Sequence, residues 1–210
     1  MKILLTGGGN GIGRKISRYL EKKHDIYVID KNINENKKNF KCDLRDIQKL
    51  ELISKKIKKV DVIINNAGIS FSSKNNFQNF DDIVKINLNG PYYVCSLFLN
   101  QLRQSQYPSI INICSLNSHQ AFPNNPGYVS SKSGLLGLTR ALALDYGKYN
   151  IKVNSISPGY IADGMSFKSF KSKNKNKERS RRTIFNKWGK ASDLFGIIDY
   201  LISQSSSYTT

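Results

Sequence analysis

Cysteine is scarce and unpatterned. Cys42, Cys95 and Cys114 are the only three in 210 residues, an odd number without a CxxC spacing, which argues against a disulfide framework or a zinc site. Histidine is scarcer still: His24 and His119 have no partner spacing, so no metal is implied. His24 reads as a surface residue, and His119 as a candidate for the substrate pocket or a bystander. Long apolar runs are missing too. Val60 to Ile64, already broken by Asp61, falls far short of the ~20 residues of a membrane helix. At the N-terminus only Ile3, Leu4 and Leu5 separate Lys2 from the glycines, too few for a signal peptide. The chain therefore reads as soluble and cytoplasmic, with reduced thiols and no membrane partner.

Acidic residues and arginines are the other shortages. Lys and Arg number 33 against 15 Asp and Glu, a formal charge of +18, yet only 8 of the 33 are Arg. Such a charge raises nucleic acid, an anionic membrane or an acidic substrate as partners. Lys, Asn and Ile together make 71 residues, as AT-rich codons would produce, so a codon-biased solvated surface explains much of the excess. From Lys168 to Lys190, however, ten basic residues face Glu178 alone, half of the whole charge. A local patch for an anionic ligand therefore stands beside the bland explanation. Nucleic acid has no supporting motif.

What is present suffices for a core. Apolar residues make up 39%, and eleven tyrosines and ten phenylalanines argue against a disordered chain. The length fits one domain, residues 1–210. Short runs rich in Ile and Val (2–6, 26–30, 39–42, 60–65, 110–115 and 151–156) predict strands. Helical patterns at 11–22, 45–58, 81–104, 128–146 and 192–203 lie between them. Strands apolar on both faces, alternating with helices, predict an α/β fold with a doubly wound parallel sheet in three layers. In such sheets ligands bind at the carboxyl ends of the strands. Residues 167–190 have no apolar period and read as a mobile or lid-like loop within a basic substrate segment at about 160–190.

The motifs follow strand ends. Thr6-Gly7-Gly8-Gly9-Asn10-Gly11-Ile12-Gly13 leaves the first strand and opens a helix, so its glycines permit close approach of a pyrophosphate to a helix N-terminus. Asp30 ends the next strand 17 residues after Gly13. A carboxylate there accepts from an adenosine ribose and repels a 2′-phosphate, favouring NAD; Lys31 beside it keeps NADP possible. Asp43 is placed to meet an adenine. Tyr128 and Lys132, four apart on a helix, share a face, and an ammonium near a phenol lowers its pKa from ~10. Ser115 ends a strand, Asn87 lies in a helix, and Asn65-Asn66-Ala67-Gly68 follows another strand.

Together these motifs resemble the short-chain dehydrogenase/reductase family in its short, single-domain branch. TGxxxGxG matches residues 6–13, NNAG matches 65–68, and NxxG matches Asn87 to Gly90. The strand-end serine is Ser115, YxxxK is Tyr128 to Lys132, and PG is Pro158-Gly159. They keep family order over roughly residues 2–203. The extended, nucleotide-sugar branch is less similar.

The resemblance implies a Rossmann fold and an NAD(P)-dependent oxidoreductase interconverting a carbonyl and a secondary alcohol. Tyr128 would be the acid/base and Ser115 the holder of the substrate oxygen. Lys132 would bind the nicotinamide ribose and lower the Tyr128 pKa, and Asn87 would support a relay water. Besides Tyr128 and Lys132, the implied cofactor contacts are Gly7, Gly9, Asn10, Gly11, Ile12, Gly13, Asp30, Asp43, Leu44, Asn66, Ala67, Gly68, Pro158, Gly159 and Ile161. The implied substrate is a small carbonyl or alcohol, and the basic segment favours an anionic one, with Lys173, Lys175 and Arg181 as its candidate contacts. A 3-oxoacyl-carrier-protein reductase is the specific alternative, and a cofactor-binding module without turnover the other. A homodimer or homotetramer is implied.

Two positions depart from the family pattern. Asp163 replaces the usual threonine, and its charge would repel a pyrophosphate unless it turns away. Residues 205–210 approach a final strand that is apparently missing, which leaves an edge open unless truncation, a partner or a rearrangement accounts for it.

Overall fold

The computed structural model describes residues 1–71 and 77–210. Six strands form one parallel sheet: β1 (Lys2–Thr6), β2 (Asp25–Asp30), β3 (Asn39–Lys41), β4 (Val62–Asn65), β5 (Ser109–Ile113) and β6 (Lys152–Ile156). Their order is β3-β2-β1-β4-β5-β6. Ile3 pairs with Ile26 on one side and Val62 on the other, and Ile110 pairs with Ile63 and Val153. All six lie within one or two residues of the stretches expected from the sequence.

Alternation along the strands separates two cores. Leu4, Ile63 and Ile110 point to one face, where they meet Leu50, Phe98 and Leu142. Ile3, Leu5, Ile64 and Ile111 point to the other, against Ile16, Leu20, Ile198 and Leu201. Among the described residues the helices are α1 (Gly11–Leu20), α2 (Ile47–Lys56), α3 (Phe77–Val84), α4 (Gly90–Leu97), α5 (Leu99–Arg103), α6 (Pro126–Gly147), α7 (Phe167–Lys171), α8 (Lys173–Arg181) and α9 (Phe195–Ile202), of which α1, α2, α4, α5, α6 and α9 supply these contacts. The helix expected over 81–104 is not continuous: a π turn, Lys85–Asn89, joins α3 to α4, and Phe98 breaks α4 from α5.

The largest correction concerns the segment 167–190, whose first part folds as α7 and α8 rather than as a loop, while 182–190 stays irregular. Its few apolar residues are rings that meet one another. Phe170 and Tyr160 lie 5.5 and 5.4 Å from the Trp188 ring centre, and Asn176 Nδ2 donates to the Phe170 carbonyl at 2.7 Å. The return strand closes by Ala162 N donating to Gly189 O and Gly189 N to Tyr160 O, both at 2.9 Å. These contacts join residues up to 28 apart, so no short-range period announces them.

β6 is the outer strand among the described residues, and residues 205–210 form no seventh one. They rearrange instead and cover part of the edge. Thr210 Oγ1 accepts from Val153 N at 3.0 Å, and Asn154 Nδ2 donates to Thr209 O at 2.8 Å. Lys152 pins the same corner, its ammonium donating to Leu201 O (3.1 Å), Ser203 O (3.0 Å) and the Ser206 hydroxyl. These are acceptors at the C-terminal end of α9, where a cation is favoured. Lys152→Met is expected to cost about 1–3 kcal/mol, seen as a lower urea midpoint with unchanged slope.

Candidate active site

The site begins where β1 ends. Gly7 has φ +70° and Gly11 φ +55°, conformations that glycine adopts freely. A Cβ on Gly7 would stand 2.6 Å from Ala67 Cα, and one on Gly9 would stand 2.9 Å from the Asp30 carboxyl carbon. At Gly13 it would collide with the Gly7 carbonyl oxygen and Asn66 Nδ2. Asn10 caps α1, its Oδ1 accepting from Gly11 N at 2.7 Å. The amides of Ile12 and Gly13, in the first turn, have no intrahelical acceptor. Across the turn Asn66 Nδ2 donates to Thr6 O and Gly7 O, with Ala67 and Gly68 following.

Two carboxylates stand at the far end. Asp30 Oδ2 accepts from Gly9 N at 2.8 Å and Oδ1 from Asn32 N at 2.7 Å, so its orientation is fixed. Asp43 is clamped by Arg45, whose Nε and Nη2 donate to it at 3.0 and 2.8 Å. This hydrogen bonding from Arg45 holds the Asp43 carboxyl below its usual range. Arg45 also reaches Asp82 at 2.8 Å. Leu44, 5% exposed, packs on Gly90, where a Cβ would sit 2.9 Å from the leucine side chain.

The reacting groups follow β5 and ride on α6. Ser115 Oγ accepts from Asn117 N at 3.1 Å and its hydroxyl leans to Asn117 Oδ1 at 3.5 Å, within the same cleft as the Tyr128 phenol. Lys132 is 3% exposed; its Nζ lies 5.9 Å from the Tyr128 ring centre and donates to the Ile113 carbonyl at 2.7 Å. Without a carboxylate partner, burial pushes the Lys132 ammonium down to about 8. Burial likewise pushes the Tyr128 phenol up, with the Ser115 hydroxyl pulling the other way. The Lys132 ammonium is directed at the Ile113 carbonyl rather than at the phenol. Asn87 lies beneath, fully buried in the π turn. Its Oδ1 accepts from Ile69 N at 2.8 Å and its Nδ2 donates to Ile69 O and Ser131 Oγ at 3.0 and 3.1 Å.

The loop after β6 closes the arrangement. Pro158 O accepts from Leu116 N at 3.0 Å, which ties the Pro158-Gly159 loop to the Ser115 loop, and Ile161 is buried beside it. Asp163 lines the same cleft as the glycine turn. It ion-pairs with Lys15 Nζ at 2.7 Å and accepts from Gly164 N, so the feared repulsion is neutralised within the chain. Of the catalytic and cofactor residues expected from the sequence, all except Asn87 line one cleft of about 990 Å³. His119 lies off it, its Nε2 3.1 Å from Ser157 Oγ. Of the basic candidates only Lys175 reaches the cleft; Lys173 and Arg181 are exposed elsewhere. Sequence reading missed Lys15, Arg179 and Arg182. The i, i+4 spacing of Lys175 and Arg179 was the available signal.

A family model described as short chain dehydrogenase matches residues 1–174. The chain belongs to the short-chain dehydrogenase family. The 2-dehydro-3-deoxy-D-gluconate 5-dehydrogenase of Dickeya dadantii is 31% identical to it over 98% of this chain and 89% of that one. The 3-oxoacyl-(acyl-carrier-protein) reductase of Rickettsia conorii is 27% identical over 99% and 91%. A solved 4-hydroxyisoleucine dehydrogenase complexed with NADH superposes with a TM-score of 0.91 at 28% identity, over all of this chain and 94% of that one. This short-chain dehydrogenase is thus an oxidoreductase using NAD(P). The side-chain-free cradle at Gly7, Gly9 and Gly13, with the open amides of α1, suits a pyrophosphate.

A methyl at position 13 should force that cradle open. Gly13→Ala is expected to lose about 1–3 kcal/mol of stability and the rise in Tm that NADH gives the wild type. Gly196→Ala, with nothing within 4 Å of the added carbon, serves as the unaffected control.

Proposed function

We propose that the protein is an NAD-preferring carbonyl reductase and alcohol dehydrogenase for a small substrate, with Tyr128 as the proton donor. The observation that carries the reading is the gathering of Ser115, Tyr128 and the buried Lys132, its Nζ 5.9 Å from the Tyr128 ring centre, at the end of the glycine-lined cleft. The dinucleotide supplies or accepts the hydride. Gly7 to Gly13 and Asn66 to Gly68 would hold its phosphates and ribose, and Pro158, Gly159 and Ile161 would bound the nicotinamide end. Ser115 donates to or accepts from the substrate oxygen and fixes its position against the phenol. Burial keeps Tyr128 neutral, the form that gives a proton to a carbonyl oxygen being reduced. Lys132 keeps a positive charge near that phenol and eases departure of the proton. Asn87, its amide spent on Ile69 and Ser131, positions α6 against the Gly68 turn, where Lys132 approaches.

NAD preference rests on Asp30. Its carboxylate is fixed over Gly9, where a 2′-phosphate would meet a negative charge, and Lys31 is drawn to Asp43 at 3.9 Å. The gluconate named for the Dickeya relative and the amino acid named for the NADH-bound neighbour make a small hydroxy or oxo compound the favoured substrate class. A single domain over 1–210 and a homodimer or homotetramer belong to the same reading. The exposed Phe80, Tyr92 and Leu144 support assembly. The free, buried cysteines suit a reducing cytoplasm, and among the described residues no helix is long and apolar enough to cross a membrane.

A 3-oxoacyl-carrier-protein reductase is the second reading, favoured by the exposed Lys173, Lys177 and Arg181 off the cleft, which suit an acidic carrier. Equal turnover of the carrier thioester and of a small-thiol thioester would remove it. The module without turnover loses one motive, since Lys15 neutralises Asp163.

Tyr128→Phe is expected to lower kcat by about 10²–10⁴-fold while leaving the NADH-induced rise in Tm intact. An unchanged kcat would refute the assignment. The pH dependence has a definite sign. Reduction should fall as pH rises through about 8, where Lys132 loses its proton, and oxidation should climb further into alkali as the phenolate forms. In Lys132→Met the fall near pH 8 should vanish along with most of the activity.

A further inference from the structure

Helix α8 turns one face to the cleft. Lys175, Glu178, Arg179 and Arg182 line it, as their spacing of three and four residues allows. Arg182 and Glu178 satisfy each other at 2.7 Å. Arg179 is held differently. Its guanidinium carbon lies 5.4 Å from the Tyr160 ring centre and 5.9 Å from that of Trp188. It makes no ion pair among the described residues, and neither does Lys175 one turn earlier. Trp188 is 8% exposed and rests on Phe170 and Tyr160, so the aromatic floor under Arg179 is fixed.

A guanidinium beside two ring faces has shed part of its water, and its in-plane N–H donors remain free for a planar acceptor. It faces into the cleft that ends at Ser115 and Tyr128. We propose that Arg179, assisted by Lys175, is an oxyanion site that binds the carboxylate of the substrate and selects small oxo and hydroxy acids. A carboxylate fits better than a phosphate ester because Glu178 shares the face: the local charge of the four side chains is +2, and a dianion would meet the glutamate. The inference rests on the oxidoreductase reading only for the chemistry at the other end of the substrate.

Trp188 is the sole tryptophan, so its emission reports on the site without turnover. Cofactor-free protein titrated with succinate should show a saturable change in emission, succinamide should be silent, and inorganic phosphate should bind more weakly. Arg179→Gln should weaken succinate by about tenfold or more and Arg179→Lys by less, since a lysine keeps the charge but not the fork. Lys175→Gln should weaken it to a smaller extent. Arg181→Gln, the same loss of charge away from the cleft, should stay within about twofold of wild type. Equal losses at 179 and 181 would overturn the site, as would a succinamide response matching that of succinate. Tighter binding of phosphate would overturn the carboxylate assignment. In turnover, Arg179→Gln should raise KM for oxo acids and leave neutral ketones unchanged. Arg179-dependent binding of succinate in a protein that reduces no carbonyl would uphold the site and remove the oxidoreductase reading. Reduction of carbonyls with no dependence on Arg179 would do the reverse.

Discussion

Thr6 and Asn66 clasp the carboxyl ends of β1 and β4 with four hydrogen bonds of 3.0 to 3.1 Å. Thr6 Oγ1 accepts the amides of Asn66 and Ala67, and Asn66 Nδ2 returns to the carbonyls of Thr6 and Gly7. These strands are neighbours in the sheet, yet the chain visits β2 and β3 between them. Their ends therefore form the switch point where a doubly wound sheet opens a crevice. The clasp draws backbone against backbone, which is why positions 7 and 13 admit no side chain. The same glycines that make the crevice possible then leave its floor lined with peptide groups. Asp30 depends on this too, since it takes its bearing from the Gly9 amide.

The features legible in the sequence are those whose cause is local. Apolar runs such as Val62 to Ile64 are strands because both faces are covered, and the Gly-rich turn announces itself by composition. Tyr128 and Lys132 meet through helical spacing alone. What escaped was decided by distant partners. The fold of 167–190 depends on Tyr160 and Trp188 reaching α7, and the fate of Asp163 on Lys15, almost 150 residues away in sequence. Asp43 was legible as a cleft residue, but its clamp by Arg45 and the reach of Arg45 to Asp82 were not. The break at Lys85–Asn89 has no period that marks it either. Its effect is to aim Asn87 inward at Ile69 and Ser131, as π turns at functional sites often redirect one side chain.

Lys132 shows how far the site departs from what stability alone would choose. A buried ammonium with no carboxylate is costly, and among the described residues its hydrogen bond runs to the Ile113 carbonyl. Its proton is held less firmly as a result. A methionine would fill the same volume without that cost. The charge makes sense if something in the cleft uses it, and the Tyr128 ring centre is 5.9 Å away. Both groups are displaced toward their neutral forms by the same burial. Under the proposed mechanism, that leaves the phenol carrying the proton that a carbonyl being reduced would take.

The overall charge of +18 is a poor guide to function, but its division between residue types is a good one. Four of the eight arginines are engaged with rings or carboxylates: Arg45 with two aspartates, Arg103 at 4.3 Å over Tyr149, Arg179 beside two aromatic rings, and Arg182 on Glu178. A planar, weakly hydrated guanidinium tolerates such half-buried positions, whereas an ammonium prefers water. Lysines accordingly cover the exposed surface, as Lys173 and Lys177 do on α8. Arg45 and Arg182 have their carboxylates within the chain. Among the described residues Arg179 has the rings but no anion, and it stands in the cleft that leads to Tyr128. On that division, the charge that matters for recognition is one guanidinium whose aromatic setting is complete and whose acceptor must come from outside.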